Sequence, residues 1–241
     1  MSDDELVTCG SHGQTRSTFV CEHLVGGVAC GYHAGTDGDA DKWPDAWCDL
    51  CDEVDELPAA RIRLLCTHCY EDARARNEHP PLHARGVKAQ MSAIEAGILL
   101  HHATHVMQAL QDAATERWGL SSFVRWDYDD ETKLLTFSDP TRPMIIADVR
   151  LVGSYAVKAR EFEWSWKTYE AEPETPDVDQ VRVFGEVRGI TRLTAATFDC
   201  DTSEGWEMAS IAGYLLGTEA LYRAPMDDLH VYMLLANLRP G

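Results

Sequence analysis

Beyond residue 86 the apolar positions of this chain follow two rhythms, one of three to four residues and one of two. Residues 87–117 contain no proline, and Met91, Ile94 and Ile98, extended by Val106 and Leu110, recur at helical spacing. That pattern predicts one long helix with a single apolar face. Gly97 weakens the helix slightly and Gly119 is its natural stop. The period then drops to two. Val124, Trp126 and Tyr128 share a strand face, and the acidic turn Asp129-Asp130-Glu131 leads into Leu134-Leu135-Thr136-Phe137. Met144 to Val152 is a longer apolar strand broken by Gly153, and Phe162, Trp164 and Trp166 alternate with Glu161, Glu163 and Ser165. These four runs predict an antiparallel sheet with one buried face, its aromatic stripe packed against the long helix.

A Pro- and acid-rich linker follows at 170–179. Thr175 before Pro176 predicts a helix start, and Val181, Phe184 and Val187 carry that helix to Gly189. Residues 193–198 read as a strand, and Ser203 as the cap of a helix holding Met208, Ile211, Ala212 and Leu215 and ending at Gly217. Residues 219–222 and 229–235 read as closing strands, the second with a helical alternative. The fold class is α+β: a small Cys/His zinc-binding module, then an antiparallel sheet packed with a long helix and two further helices. His79-Pro80-Pro81-Leu82-His83 breaks any helix, which predicts a module at 1–79 and an α+β domain at 86–241.

Residues 1–80 show neither rhythm, and a segment this size buries little surface by itself. They hold soft ligands instead, with seven of the chain's eight cysteines in the first 69 residues. Cys48-x-x-Cys51 and Cys66-x-x-Cys69 stand fourteen residues apart, near the spacing of a zinc ribbon, and Cys9-x-x-His12 and Cys21-x-His23 precede them. Four pairs make two closed tetrahedral sites for Zn²⁺, with no position open to a substrate. Zinc bound this way supplies roughly 10–16 kcal/mol in small fingers. The pairing is open between sequential sites (first pair with second, third with fourth) and interleaved ones (first with third, second with fourth). The two Cys-x-x-Cys knuckles favour the sequential arrangement. Cys30 and His33 are alternative ligands or loop residues, and Cys200 is a lone thiol. Trp43 and Trp47 are expected beside the knuckle at Cys48. Asp37, Asp39 and Asp41 alternate as calcium ligands do, but Lys42 and Cys48 stand where that loop needs Gly and Glu, so a solvated acidic loop is expected.

Composition narrows the function. Hydrophobic content of 45% and charged content of 25% are those of a globular protein. No run of 18 apolar residues predicts a membrane span, and the acidic Met1-Ser2-Asp3-Asp4-Glu5 does not resemble a secretory signal. Reduced cysteines in the cytoplasm are the expectation. The net charge of −19 argues against nucleic acid. Residues 1–80 carry 16 acidic and 6 basic side chains, so a basic protein partner would be steered there.

Two resemblances bear on this reading. Cys21-Glu22-His23-Leu24, Cys48-x-x-Cys51 and Leu64-Leu65-Cys66-x-x-Cys69-Tyr70 resemble, over about fifty residues, the ubiquitin-binding zinc finger of ubiquitin-specific proteases. The later Cys- and His-rich segment of that family is missing or shortened to His79-Pro80-Pro81-Leu82-His83, so the match implies shared knuckle chemistry. Phe162-x-Trp164-Ser165-Trp166, Val181-Arg182-Val183-Phe184-Gly185, Gly205-Trp206-Glu207-Met208-Ala209 and Tyr214-Leu215-Leu216-Gly217 look like an uncharacterised bacterial family of unknown function. Some of its members carry a Cys/His segment similar to Thr18-Phe19-Val20-Cys21 and Ala46-Trp47-Cys48. That resemblance implies a bacterial cytosolic protein and transfers no activity.

No phosphate loop, nucleophile elbow or nucleophile-base motif occurs. Asp199 and Asp201 are close enough in sequence to pair for acid–base work, and Glu204 and Glu207 suit a helix N-terminus. His101-x-x-x-His105 places two imidazoles on one helix face as metalloproteases do, but His102 stands where their glutamate base would be. The sequence therefore points to a zinc-stabilised binding or regulatory protein with no catalytic residue assigned. The alternative is a metal-dependent hydrolase built on His101 and His105.

Overall fold

The structure, a computed structural model, describes residues 6–35, 43–81, 84–85, 89–120, 123, 125–168, 176–226 and 228–241. The Asp37/Asp39/Asp41 loop, Val124 and the linker with Thr175 lie outside the described residues.

Near the N-terminus β1 (Leu6–Cys9) and β2 (Gly13–Cys21) form a hairpin whose register runs from Leu6↔Arg16 to Cys9↔Gly13. Helix α1 (Glu22–Gly26), the short strands β3 (His33–Ala34) and β4 (Ala46–Trp47), and α2 (Asp49–Asp52) follow. Strand β5 (Ile62–Cys66) runs antiparallel to the second half of β2, from Cys21↔Ile62 to Ser17↔Cys66, and feeds α3 (Thr67–Asn77).

Helix α4 spans Ala93–Trp118. It starts later than the apolar period predicts because Ser92 and Glu95 form a capping box. The Glu95 carboxylate accepts from the Ser92 N–H at 2.7 Å, and the Ser92 hydroxyl accepts from the Glu95 N–H at 3.3 Å. Its buried stripe is Leu99, Ala103, Met107 and Ala114. Ile94 and Ile98, read as core from their spacing, are 76% and 47% exposed. Two apolar stripes compete on this helix, and the one rich in alanine allows the closer approach.

The remaining elements are β6 (Arg125–Asp129), β7 (Leu134–Asp139), β8 (Arg142–Ala156), β9 (Glu161–Trp164), α5 (Ser165–Thr168), α6 (Pro176–Arg188), α7 (Thr191–Thr194), β10 (Thr197–Asp199), α8 (Thr202–Leu216), β11 (Ala220–Pro225) and β12 (Leu229–Pro240). The antiparallel sheet has the order β10-β9-β8-β12-β11, with β7 also on β8 and β6 on β7. Strand β8 is its spine, pairing with β7 through Phe137↔Ile145, with β9 through Tyr155↔Phe162 and with β12 through Leu235↔Val149. Gly153 does not break it. A Cβ at Gly153 would meet the Glu163 carbonyl oxygen of the neighbouring strand and, at 2.8 Å, Phe162 Cζ, so the strand continues through a glycine that makes room for a close backbone approach and an aromatic. Trp166 falls in α5 rather than in the strand, because the Ser165 hydroxyl turns back to donate to the Leu151 carbonyl at 2.6 Å. The expected strand at 193–198 is split between α7 and β10. Helix α8 is capped by Asp201 rather than Ser203.

The described residues form two compact units, Met1–Ala96 with Asp179–Thr194, and Gly97–Val178 with Ala195–Gly241. The second has a core of Leu135, Phe137, Ile145, Ala147, Val149, Met233 and Leu235. In the first, the apolar face of α6 (Val183 and Val187) closes over Val20, Cys21, Leu24, Cys48 and Cys51. The module around the cysteines is thus completed by a helix from late in the chain, which a reading by proximity along the sequence places elsewhere.

Candidate metal centres

Three of the four ligand pairs sit at a strand end that becomes a helix start. Cys66 ends β5 and is the N-cap of α3; its sulfur accepts from the Cys69 N–H at 3.4 Å. Cys48 occupies the same position before α2, with Cys51 in its turn, and Cys21 ends β2 ahead of α1, which carries His23. The extended first residue and helical third residue turn both side chains of a pair toward one point. Cys9 and His12 do the same across the hairpin turn between β1 and β2.

The eight side chains form two sets, Cys9/His12/Cys66/Cys69 and Cys21/His23/Cys48/Cys51, and in each set the four ligand atoms lie within 4.8 Å of one another. This grouping is nested, first pair with fourth and second with third. It corrects the sequential arrangement favoured from the sequence and is not the interleaved one either. The cause is the direction of β5. Running antiparallel to β2, it carries Cys66 from the Cys21 end of that strand toward the hairpin.

The donor atoms fit a tetrahedral cation. His12 Nδ1 lies 3.6 Å from Cys9 Sγ, 3.5 Å from Cys66 Sγ and 3.6 Å from Cys69 Sγ, and Cys9 Sγ is 4.0 Å from Cys69 Sγ. His23 Nδ1 lies 3.3 Å from Cys51 Sγ and 3.4 Å from Cys48 Sγ. Bonds of about 2.3 Å to sulfur and about 2.0 Å to nitrogen set tetrahedral ligand atoms about 3.5–3.8 Å apart. Electrostatics agrees. Hydrogen bonds from Cys48 and Cys51 hold Cys21 far below the ordinary thiol range, while Cys21 and Cys51 push Cys48 far above it. Cys21 and Cys51 also raise His23 to about 9. In the other set the backbone N–H groups of Ser11 and His12 lower Cys9 to about 6, and burial, then Cys66, pushes Cys69 up to about 12. Three thiols and an imidazole this close compete for protons, and a bound dication would displace them. All four residues of the Cys21 set are buried; the Cys9 set is partly open, with His12 exposed.

Around the Cys21 set lies a polar layer that the sequence reading missed. Asp49, next to Cys48, accepts from His33 Nε2 at 2.8 Å and pairs with the fully buried Arg188, Oδ2 to Nη1 2.7 Å. Arg188 Nη2 donates to the Ala29 carbonyl at 3.1 Å. Gly31, at φ +81, lies so close beneath the Asp49 carboxylate that a Cβ there has no room. Buried Asn77 accepts from the Cys30 N–H at 3.1 Å and donates to the carbonyls of Ala73 at 2.8 Å and Leu24 at 3.1 Å. Cys30 therefore belongs to neither set; burial keeps its thiol protonated, and His33 is committed to Asp49. Trp43 and Trp47 pack against the core around Cys48 as expected, their indole N–H groups on Glu71 and Asp52.

Elsewhere the sequence candidates separate. Asp201 is the N-cap of α8, Glu204 completes its capping box, and Cys200 is buried just ahead of it. His101 and His105 meet edge to face at 4.5 Å between ring centroids, while His102 meets Tyr214. Among the described residues no third His, Cys, Asp or Glu joins His101 and His105 in a set within 4.8 Å.

A family of unknown function, DUF6882, matches residues 98–238, more than half of the chain. The chain belongs to it. The four segments between Phe162 and Gly217 that resemble an uncharacterised family fall inside the DUF6882 match, while Thr18–Cys21 and Ala46–Cys48 lie outside it. Both Cys/His sets lie outside it, so DUF6882 membership speaks for the sheet and its helices and not for the metal ligands. The DUF6882 region does include Val183, Val187 and Arg188, which cover the Cys21 set. No curated protein and no solved structure matches the chain. Among the described residues no helix is long and apolar enough to cross a membrane.

Proposed function

We propose that this DUF6882 protein holds two structural zinc ions, one in each Cys₃His set, and uses the zinc-held N-terminal unit to recognise a basic protein partner. The observation that supports it most is the composition of the two sets. Three sulfurs and one imidazole nitrogen fill a tetrahedral shell and leave no position for water or substrate, the mark of a structural rather than a catalytic ion. Thiolate-rich tetrahedral sites select zinc among the common cations. None of the eight cysteines is joined in a disulfide, which suits a reducing, cytoplasmic setting. The surplus of 16 acidic over 6 basic residues in the first 80 supplies the field for a cationic partner.

Cobalt substitution tests the closed shell. Intense tetrahedral bands that do not change on adding thiocyanate support it; a band that shifts with thiocyanate reveals an exchangeable position and removes the structural assignment. Affinity purification at low salt tests the partner. A stoichiometric basic protein released as ionic strength rises is the expected result, and a bait that returns alone contradicts recognition.

A further inference from the structure

The exposed face of α4 carries a pair of side chains to which neither the fold nor the two Cys/His sets gives a role. His101 and His105 are both exposed, one helical turn apart, with ring centroids 4.5 Å apart. Among the described residues neither ring has a hydrogen-bond partner or an ion pair; each contacts the other. Five other imidazoles differ: His12 and His23 sit in the Cys sets, His33 is held by Asp49, His102 meets Tyr214 edge-on and His230 stacks on Tyr155. The pair opens into a cleft of about 430 Å³ lined by Gly97, Leu100, Thr104 and Gln108 of the same helix and by Glu207 from α8. A Cβ at Gly97 would meet nothing within 4 Å, so the mouth is clear.

We propose that His101 and His105 form a third metal site, open and exchangeable, for a borderline divalent cation such as Ni²⁺, Cu²⁺ or Zn²⁺. Two imidazoles at i and i+4 chelate one ion from one face of a helix, and nitrogen donors without sulfur suit these cations. Glu207 lines the same cleft, but the three groups do not all lie within 4.8 Å of one another. Solvent therefore completes the coordination, which makes this site labile where the Cys₃His sets are closed. It is independent of the zinc reading, since it shares no ligand with either set.

The test is equilibrium dialysis of the reduced 241-residue protein against NiCl₂, with the tightly held metal measured beforehand and afterwards. One further nickel per chain is expected. His101→Ala and His105→Ala should each weaken it by about tenfold or more, with the tightly held metal and the circular dichroism unchanged. Both substitutions are on an exposed helix face where alanine favours the helix, so folding is kept. No added nickel, or nickel bound equally by the double His101→Ala/His105→Ala variant, overturns the proposal. Loss of the tightly held metal would instead count against the zinc sites.

Discussion

A guanidinium without exposed surface has to be matched, and at Arg188 the match is the Asp49 carboxylate, 2.7 Å away and 19% exposed. The pair is coulombic more than a well-aligned hydrogen bond. Asp49 follows Cys48 directly, so the pair also fixes the turn that aims Cys48 and Cys51. Arg188→Met takes the guanidinium from a mostly buried carboxylate and leaves it only His33, and denaturant unfolding should show a loss near the low end of about 3–5 kcal/mol. Chelator competition should show faster metal loss from the Cys21 set than from the Cys9 set. Adding Asp49→Asn should recover part of the stability; no recovery would show that the cost arises elsewhere. Cys48→Ser and Cys30→Ser separate a ligand from a neighbour. The first should lower tightly bound metal from two ions per chain to one, the second should leave it at two, as read by elemental analysis. None of this polar layer was legible in the sequence. Arg188 stands 139 residues beyond Asp49 and Asn77 stands 47 beyond Cys30, and no local pattern marks a side chain that acts at such a distance.

At the scale of elements, capping decides more boundaries than hydrophobic period does. Ser92-x-x-Glu95 starts α4 and Asp201-x-x-Glu204 starts α8. Both signatures are readable in the sequence, but apolar spacing drew the first helix several residues too early and put the second cap at Ser203. Hydrogen bonds from the Ser203 side chain, then from the Glu204 N–H, hold the Asp201 carboxyl below its ordinary range. A depressed carboxyl stabilises the fold above its unfolded value of about 3.9, and that contribution is lost as pH falls through the lower, folded value. Melting temperature followed from pH 6 to pH 3 should drop less steeply in Asp201→Asn, which keeps the cap but cannot titrate. An unchanged acid slope would show that Asp201 does not contribute to it. Gly153→Ala drives a methyl group into the Glu163 carbonyl oxygen and to 2.8 Å from the Phe162 ring, and should cost about 1–3 kcal/mol by calorimetry or denaturant unfolding. Most strands of the second unit were legible, because alternation in Leu135, Phe137 and the β8 run reflects a sheet with a definite buried face, whereas β1 to β5 of the first unit carry no such apolar alternation and were not.

At the scale of the whole molecule, the α+β class and the presence of Cys/His clusters were readable, while the composition of the compact units was not. Residues 179–194 belong with the N-terminal unit, because a segment rich in polar and metal-binding residues cannot enclose its own core and takes Val183 and Val187 from a later helix. The nested grouping was likewise hidden, since strand direction and not ligand spacing sets which pairs meet. On the proposed reading the fold of the N-terminal unit depends on its ions. The most direct measurement is metal content and fold together. The protein is purified under reducing conditions without added metal, analysed for zinc, then stripped with a chelator and followed by NMR. Two zinc ions per chain, and loss of dispersed signals from residues 6–77 on stripping, are the predicted result. A metal-free protein that is fully folded, or sulfurs found joined in disulfides, would contradict it.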